Sequence, residues 1–268
     1  MTILNEISKL LQLVKENKPL VHHITNYVTV NECANMVLAL GGSPVMADDL
    51  AEVEEMVSFA SALVINIGTL NERTIQSMIT AGKKANQLGV PVILDPVGVG
   101  ATSLRTETVT ILLKEVRFAV VRGNMSEIKM IAGSDVEIKG VDSIADDENG
   151  VEIAKLLSAK LGCVVAITGA VDIIAEKDRV CTISNGDKIL ADVTGTGCMS
   201  TSLIGTYAGA TSDYFLAAAA GITTMGLSGE LAKQRLTDGQ GIGTFRINLF
   251  DEVSKMNAET LLNGGKIQ

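Results

Sequence analysis

Asp95 stands directly after the apolar run Val92-Ile93-Leu94 and before Pro96, while Arg122, Asn124 and Glu127 fall together in the segment RGNMSEI. Asn124 and Glu127 are three residues apart at a predicted helix start and so project from one face. An amide and a carboxylate in that relation can hold a hydrated Mg²⁺ and orient phosphates, or they can form an ordinary reciprocal helix cap. Asp95, at a predicted strand end, reads either as an unpaired carboxylate facing a cleft or as a turn cap ahead of GVGATS. In DVTGTGCMS the turn Thr194-Gly195-Thr196-Gly197 feeds a helix of small residues headed by Cys198. Such a turn exposes backbone N–H groups and the positive end of the helix dipole, an anion cradle, although the same glycines would also serve tight strand-to-helix packing. Two acidic positions, a neighbouring arginine and a cradle form a set suited to phosphoryl transfer.

These residues need a scaffold that brings strand ends together. The runs PLVHHIT, SPVMA, ALVINIG, VPVILDP, FAVVRGN and CVVAITG are short and continuously apolar, and segments of helical periodicity separate most of them. That alternation predicts a three-layer α/β/α fold with a mostly parallel sheet covered on both faces. A first helix ends near Asn17, a second runs from about Tyr27 to Leu40, and DIIAEKD with RVCTIS reads as a hairpin. KILADV reads as strand-like, and helices are expected over Thr196–Ala210, Ser212–Arg235 and Phe245–Leu262. The tail Asn263–Gln268 is expected to fray, the acidic stretch Asp142–Glu148 to be a solvated loop, and residues 1–268 to form one domain. Ligands of such sheets gather at the carboxyl ends of the strands. Asn26, Asp95, Arg122, Asn124, Thr168 and the loop Asp192–Cys198 all lie there.

Composition removes several classes of partner. With 22 Lys+Arg against 31 Asp+Glu the net charge is −9, which repels a phosphate backbone, so no nucleic acid is expected. Three Tyr, five Phe and no Trp leave neither a base-stacking platform nor a membrane aromatic belt. The uncharged stretch Tyr214–Gly229 is too short and too glycine-rich to span a bilayer and reads as a buried helix, so no membrane is expected. The amino-terminal segment lacks a basic leader, which points to the cytoplasm. Four cysteines without C-x-x-C spacing and two histidines argue against a zinc site. Neither a Walker-type G-x-x-x-x-G-K-[ST] nor a G-x-G-x-x-G after a strand is present, so a dehydrogenase reading is poor.

The ordered set HHITNYVTVN, GGSPVMA, ILDPVGVGA, VVRGNMSE, AITGAVD and DVTGTGCM resembles the hydroxyethylthiazole kinase family of the ribokinase-like superfamily. The resemblance implies transfer of the γ-phosphate of ATP to the alcohol of 4-methyl-5-(2-hydroxyethyl)thiazole, with Mg²⁺, in a homotrimer whose thiazole pockets lie between subunits. It implies that Met46 and Gly195 contact the thiazole, with Asn26 lining the same region. Arg122 and Thr168 would bind ATP phosphates beside Asn124, and Asp95 and Glu127 would hold Mg²⁺. The wider superfamily carries Asp where these kinases and this sequence carry Cys198, which leaves the base open. A thiol at a helix start has its pKa drawn down by the dipole, so Cys198 is either a proton acceptor or a group that positions the hydroxyl. Among the rest, His22 and His23 alternate on a strand, one inward and one outward, and are read as structural. Cys33, Cys163 and Cys181 are read as small hydrophobes, and Asp172 serves the turn after TGAV or second-layer order.

Overall fold

The computed structural model describes residues 2–133 and 149–268, so the acidic stretch Asp142–Glu148 lies outside the described residues. In chain order the elements are α1 (Ile3–Asn17), β1 (Leu20–Ile24), α2 (Val30–Leu40), β2 (Ser43–Met46), α3 (Val53–Phe59), β3 (Ala62–Asn66), α4 (Glu72–Leu88) and β4 (Val92–Asp95). They continue as α5 (Ser103–Glu115), β5 (Val120–Asn124), α6 (Met125–Gly133), α7 (Gly150–Leu161), β6 (Val164–Thr168), β7 (Asp172–Glu176) and β8 (Arg179–Ile183). The chain closes with α8 (Thr196–Ala208), α9 (Tyr214–Gln234), α10 (Ile242–Lys255) and α11 (Ala258–Gly264).

The sheet order is β2-β1-β3-β4-β5-β6-β7-β8, parallel through β6 and antiparallel in the β6–β7–β8 hairpin region, as the apolar runs predict. Strand alternation sends Val21, Val64, Ile93, Val120 and Ala166 into one core with α1, α2 and α8 to α11. Ile24, Leu63, Leu94, Val121 and Val165 enter a second core beneath α3 to α7. Both faces are covered, so His22 and His23 do point opposite ways, yet both are buried. That corrects the inward–outward expectation. His22 Nε2 meets Ala47 O at 2.7 Å, and His23 Nε2 meets Ser202 Oγ at 3.1 Å. Burial lowers the pKa of both, His23 to about 4, which keeps them neutral near pH 7.

Helix α9 is long and apolar enough to cross a membrane by length and composition alone, but 89% of its apolar window is buried inside the protein. It lies close against α8 at Gly221, where a Cβ would stand 2.7 Å from the Ile204 backbone nitrogen. Cys33, Cys163 and Cys181 are buried free thiols, each pushed up to about 12, chiefly by burial.

Three expectations are overturned. KILADV is a 3-10 helix over Lys188–Asp192, entered by Asp187, whose side chain accepts from Ile189 N–H. The end of β8 is not free to take it, because the carboxyl-terminal tail pairs there. The tail does not fray there: Thr182 and Gln268 exchange backbone hydrogen bonds of 2.9 and 3.0 Å, and Ser184 N–H reaches Lys266 O at 3.0 Å. The single helix expected over Phe245–Leu262 is two, α10 and α11, because Asn257 caps a fresh start by accepting from Thr260 N–H at 3.0 Å.

Candidate active site

Alternation decides which strand-end residues meet. On β3, β4, β5 and β6 the core residues Val64, Ile93, Val120 and Ala166 face the α8–α9 layer. Two residues further on, Asn66, Asp95, Arg122 and Thr168 therefore point the same way, at the carboxyl ends of neighbouring strands. The register sets Asn66 beside Asp95 and Asn124 beside Thr168. The amino terminus of α8 stands over them.

A polar chain links these side chains. Asp95 is fully buried, and its Oδ2 accepts from Asn66 Nδ2 and from Thr201 Oγ1 of α8, each at 2.9 Å. Its Oδ1 has no hydrogen-bond partner and lies 3.5 Å from Arg122 Nη1. Arg122 Nη2 continues the chain to Thr168 Oγ1 at 2.5 Å. Asp95 is thus a paired carboxylate, not the unpaired one expected from the sequence. Burial pushes its carboxyl up and Glu127 adds to that, against the pull of Arg122, Thr201 and Asn66.

Arg122 also borders a cavity of about 540 Å³, together with Thr168, Gly169, Asp172, Gly197 and Lys188 among others. Asn124 and Glu127 form the reciprocal cap: Glu127 N–H donates to Asn124 Oδ1 at 2.9 Å, and Asn124 N–H to Glu127 Oε2 at 2.8 Å. Glu127 Oε1 takes Gly98 N–H at 2.8 Å. Each carboxylate oxygen keeps capacity for a further contact.

The acidic groups fit Mg²⁺ better than a metal that needs a full protein cage. Among the described residues no three His, Cys, Asp or Glu side chains converge on one point. A pair of carboxylates suffices for Mg²⁺, which keeps several waters and takes further oxygens from phosphates. The partnerless Asp95 Oδ1 is the oxygen with unused capacity.

The glycine turn is tightly packed, as one of its two readings expects. Gly195, at φ 90°, is the N-cap of α8, and no side chain caps that helix, which leaves its first N–H groups without a side-chain acceptor. A Cβ at Gly195 would run into Thr29 Cγ2, and one at Gly197 would stand 2.7 Å from Arg122 Nη1. The clash at Gly197 is with the movable end of a side chain. Gly197→Ala is therefore expected to leave the melting temperature within about 2 °C while weakening the hold of a phosphate anion on the site about tenfold, because it shifts the guanidinium end. Calorimetry with inorganic phosphate beside a thermal melt checks this.

Cys198 is partly buried, and its Sγ accepts from Asn66 Nδ2 at 3.2 Å and Asn26 Nδ2 at 3.5 Å. Burial and the Asp95 charge raise its pKa, and hydrogen bonds from Thr29, Asn66 and Asn26 offset only part of that. The lowering expected from the helix dipole is overturned, because desolvation of a thiolate outweighs it. Asn26 is itself buried, with Oδ1 accepting from the N–H and hydroxyl of Thr29 and Nδ2 donating to Asn66 Oδ1 at 2.9 Å. It braces Cys198 rather than opening onto a cleft. Met46 ends the edge strand β2, in register with His23, and is half-buried. Met46, Asn26 and Gly195 lie outside the lining of the 540 Å³ cavity. The glycine turn thus has one side toward Thr29 and the other toward Arg122 and that cavity.

Sequence reasoning missed Asn66 and Thr201. Asn66 was findable as the last residue of the apolar run ALVIN, whereas Thr201 owes its place to α8 packing over β4. Asp172, set aside from the sequence, is buried at the cavity, and its Oδ1 accepts from Gly169 N–H at 3.0 Å. Burial raises its carboxyl to about 6. Its unfolded value is near 3.9, so the charged form costs stability of ~3 kcal/mol above pH 6, a cost that shrinks as pH falls. Asp172→Asn keeps an oxygen for Gly169 and is expected to raise the unfolding free energy at pH 8 and by roughly half as much at pH 5, read from urea titrations.

The family model described as "Hydroxyethylthiazole kinase family" matches residues 11–259. A protein named hydroxyethylthiazole kinase from Alkaliphilus oremlandii is 54% identical over 268 residues, covering 100% of this chain and 99% of that one. The solved hydroxyethylthiazole kinase structure from Pyrococcus horikoshii superposes with a TM-score of 0.89 at 36% identity, covering 98% of each chain. A ribokinase-like superfamily protein from Enterococcus faecalis shares the fold at a TM-score of 0.62 and 14% identity, over 91% of this chain and 89% of that one.

Proposed function

The chain belongs to the hydroxyethylthiazole kinase family, and from that premise we propose that it transfers the γ-phosphate of ATP to the hydroxyl of 4-methyl-5-(2-hydroxyethyl)thiazole, giving the thiazole phosphate used in thiamine salvage. The observation that carries this reading is the uncapped start of α8 above Arg122 and Asp95, a cradle and a cation at the ends of parallel strands. ATP enters the 540 Å³ cavity, with Arg122, Thr168 and the turn at Gly197 around its phosphates and Asn124 beside Thr168 on the neighbouring strand. Asp95 and Glu127 would hold Mg²⁺, directly or through water. When bound, the ion neutralises charge on the phosphates.

The alcohol sits on the other side of the turn, where Met46 and Gly195 contact the thiazole and Asn26 fixes Cys198. Cys198 stays a thiol at neutral pH and orients the hydroxyl, which in a loose transition state needs to lose little of its proton before attack. One kinase domain over residues 1–268 carries these parts. Met46 ends the sheet's edge strand, and Tyr27 and Val28, in the segment that follows the carboxyl end of neighbouring β1, are exposed. That supports a homotrimer in which a neighbouring subunit completes the thiazole pocket, and sedimentation should then give about three times the 28.1 kDa chain mass. Four free thiols fit a reducing cytoplasm.

A coupled assay for ADP release tests the reading. Release is expected only with Mg²⁺ and the thiazole alcohol together, and weakly or not at all with a hydroxymethylpyrimidine or a sugar. ATP loss that ignores the alcohol, or none, would count against it.

A further inference from the structure

The cavity assigned to ATP ends in a wall, Asn185 to Asp187, that is part of no strand or α-helix. Its fixation is not local. Gly186 N–H donates to Glu230 Oε1 at 2.9 Å, and Asn185 Nδ2 donates to the same oxygen at 3.1 Å. Asn185 Nδ2 also reaches Gly264 O at 2.9 Å, while its Oδ1 accepts from Lys266 N–H at 2.7 Å. Lys266 Nζ then returns to the Glu230 carboxylate at 2.9 and 3.0 Å. Glu230 stands one turn beyond Gly226 on α9, and its side chain is only 16% exposed. Gly226 itself borders the cavity, and a Cβ there would come within 2.6 Å of Asn185 O.

One carboxylate on α9 therefore holds three things at once: a backbone N–H of the wall, the wall's asparagine, and the carboxyl-terminal strap that runs along β8. Gly186, at φ 141°, adopts a conformation that supplies little rigidity of its own. We infer that Glu230 is a positioning residue for nucleotide binding, setting the gap between the 185–187 wall and α9 into which ATP fits. This rests on the reading that the cavity takes ATP. Without the carboxylate, the Gly186 N–H and the Asn185 amide lose their shared acceptor and the wall must be ordered by the nucleotide itself, which weakens binding. The alcohol side of the glycine turn touches none of these groups, so it is unaffected.

The test compares Glu230→Ala, Glu230→Gln and Lys266→Met with the wild type, reading KM for ATP, KM for the thiazole alcohol, kcat, and the Kd of ADP by calorimetry. Glu230→Ala is expected to raise KM for ATP and Kd for ADP about tenfold, with kcat within about twofold and the alcohol KM unchanged. Glu230→Gln, which keeps an oxygen acceptor, is expected to recover most of that affinity. Lys266→Met leaves the Gly186 and Asn185 bonds in place and should weaken ADP about threefold, which keeps the idea testable if Glu230→Ala does not fold. Wild-type ADP affinity in Glu230→Ala, or an equal loss in kcat and both KM values, would overturn the inference while leaving the kinase reading intact. Absence of ADP binding by the wild type would overturn both.

Discussion

Arg122→Ala is expected to lower kcat/KM for ATP about a thousandfold and to remove ~3 kcal/mol of stability. The kinetic loss follows from the position of the guanidinium, which reaches Asp95 and Thr168 and borders the cavity beside the glycine turn. Charge that develops on the transferred phosphoryl group there meets a fixed cation whose own side chain is mostly buried. The stability loss has a separate cause. Asp95 is fully buried, and without Arg122 its carboxylate keeps only the Asn66 and Thr201 hydrogen bonds. Removing one member of a buried ion pair leaves the other's desolvation uncompensated.

The two effects separate in the double variant Arg122→Ala/Asp95→Asn. It is expected to regain most of the stability, because no buried charge remains, and none of the activity. Arg122→Lys should fall between, since an ammonium restores charge but not the two-pronged reach. Urea titrations and steady-state kinetics read both quantities. An Arg122→Ala enzyme within tenfold of the wild type would remove the guanidinium from the chemistry.

Cys198→Ala is expected to lower kcat about thirtyfold, whereas Cys198→Asp retains or raises turnover. The Sγ receives two amide N–H groups, from Asn26 and Asn66, and a carboxylate is a better acceptor for both. An aspartate there also supplies a true base for the alcohol. The thiol is a weaker case, because burial and the Asp95 charge keep it protonated at neutral pH. For the wild type, kcat should accordingly stay flat between pH 6 and 8, and iodoacetamide should modify Cys198 more slowly than a free thiol. A rate climbing tenfold per pH unit across that range would instead make the thiolate the proton acceptor. Unchanged kinetics in both variants would take Cys198 out of the mechanism.

Much of the scaffold was legible because its cause is local. Continuous apolar runs without alternation predict strands covered on both faces; the sheet from β1 to β6 is parallel as expected, and its strands are mostly buried except the half-buried edge strand β2. The candidate phosphate-side residues were also legible, since Asp95, Arg122 and Thr168 each close an apolar run and a run's end is visible in one dimension. The errors fall where a segment's state depends on something far away in the chain. KILADV has strand-like composition but no free edge beside it, and Asn263–Gln268 looks like a loose terminus until β8, Asn185 and Glu230 are seen to receive it. Asparagine 257 splits the last helix by capping, a choice that apolar periodicity does not register.

What residue order alone determined is the repertoire: parallel strands, a glycine turn at a helix start, and acidic, basic and thiol groups at strand ends. Those follow from side-chain volume, hydrophobic period and backbone freedom, which act over a few neighbouring residues. Tertiary structure decided the protonation and partnership of each group. Asp95 and Arg122 become an ion pair, Cys198 a protonated thiol held by two amides, and Glu230 the anchor of a wall it is 44 residues from in sequence. Burial and charge proximity are properties of three-dimensional neighbours, and the free energy of a charged group depends on them more than on its own chemistry.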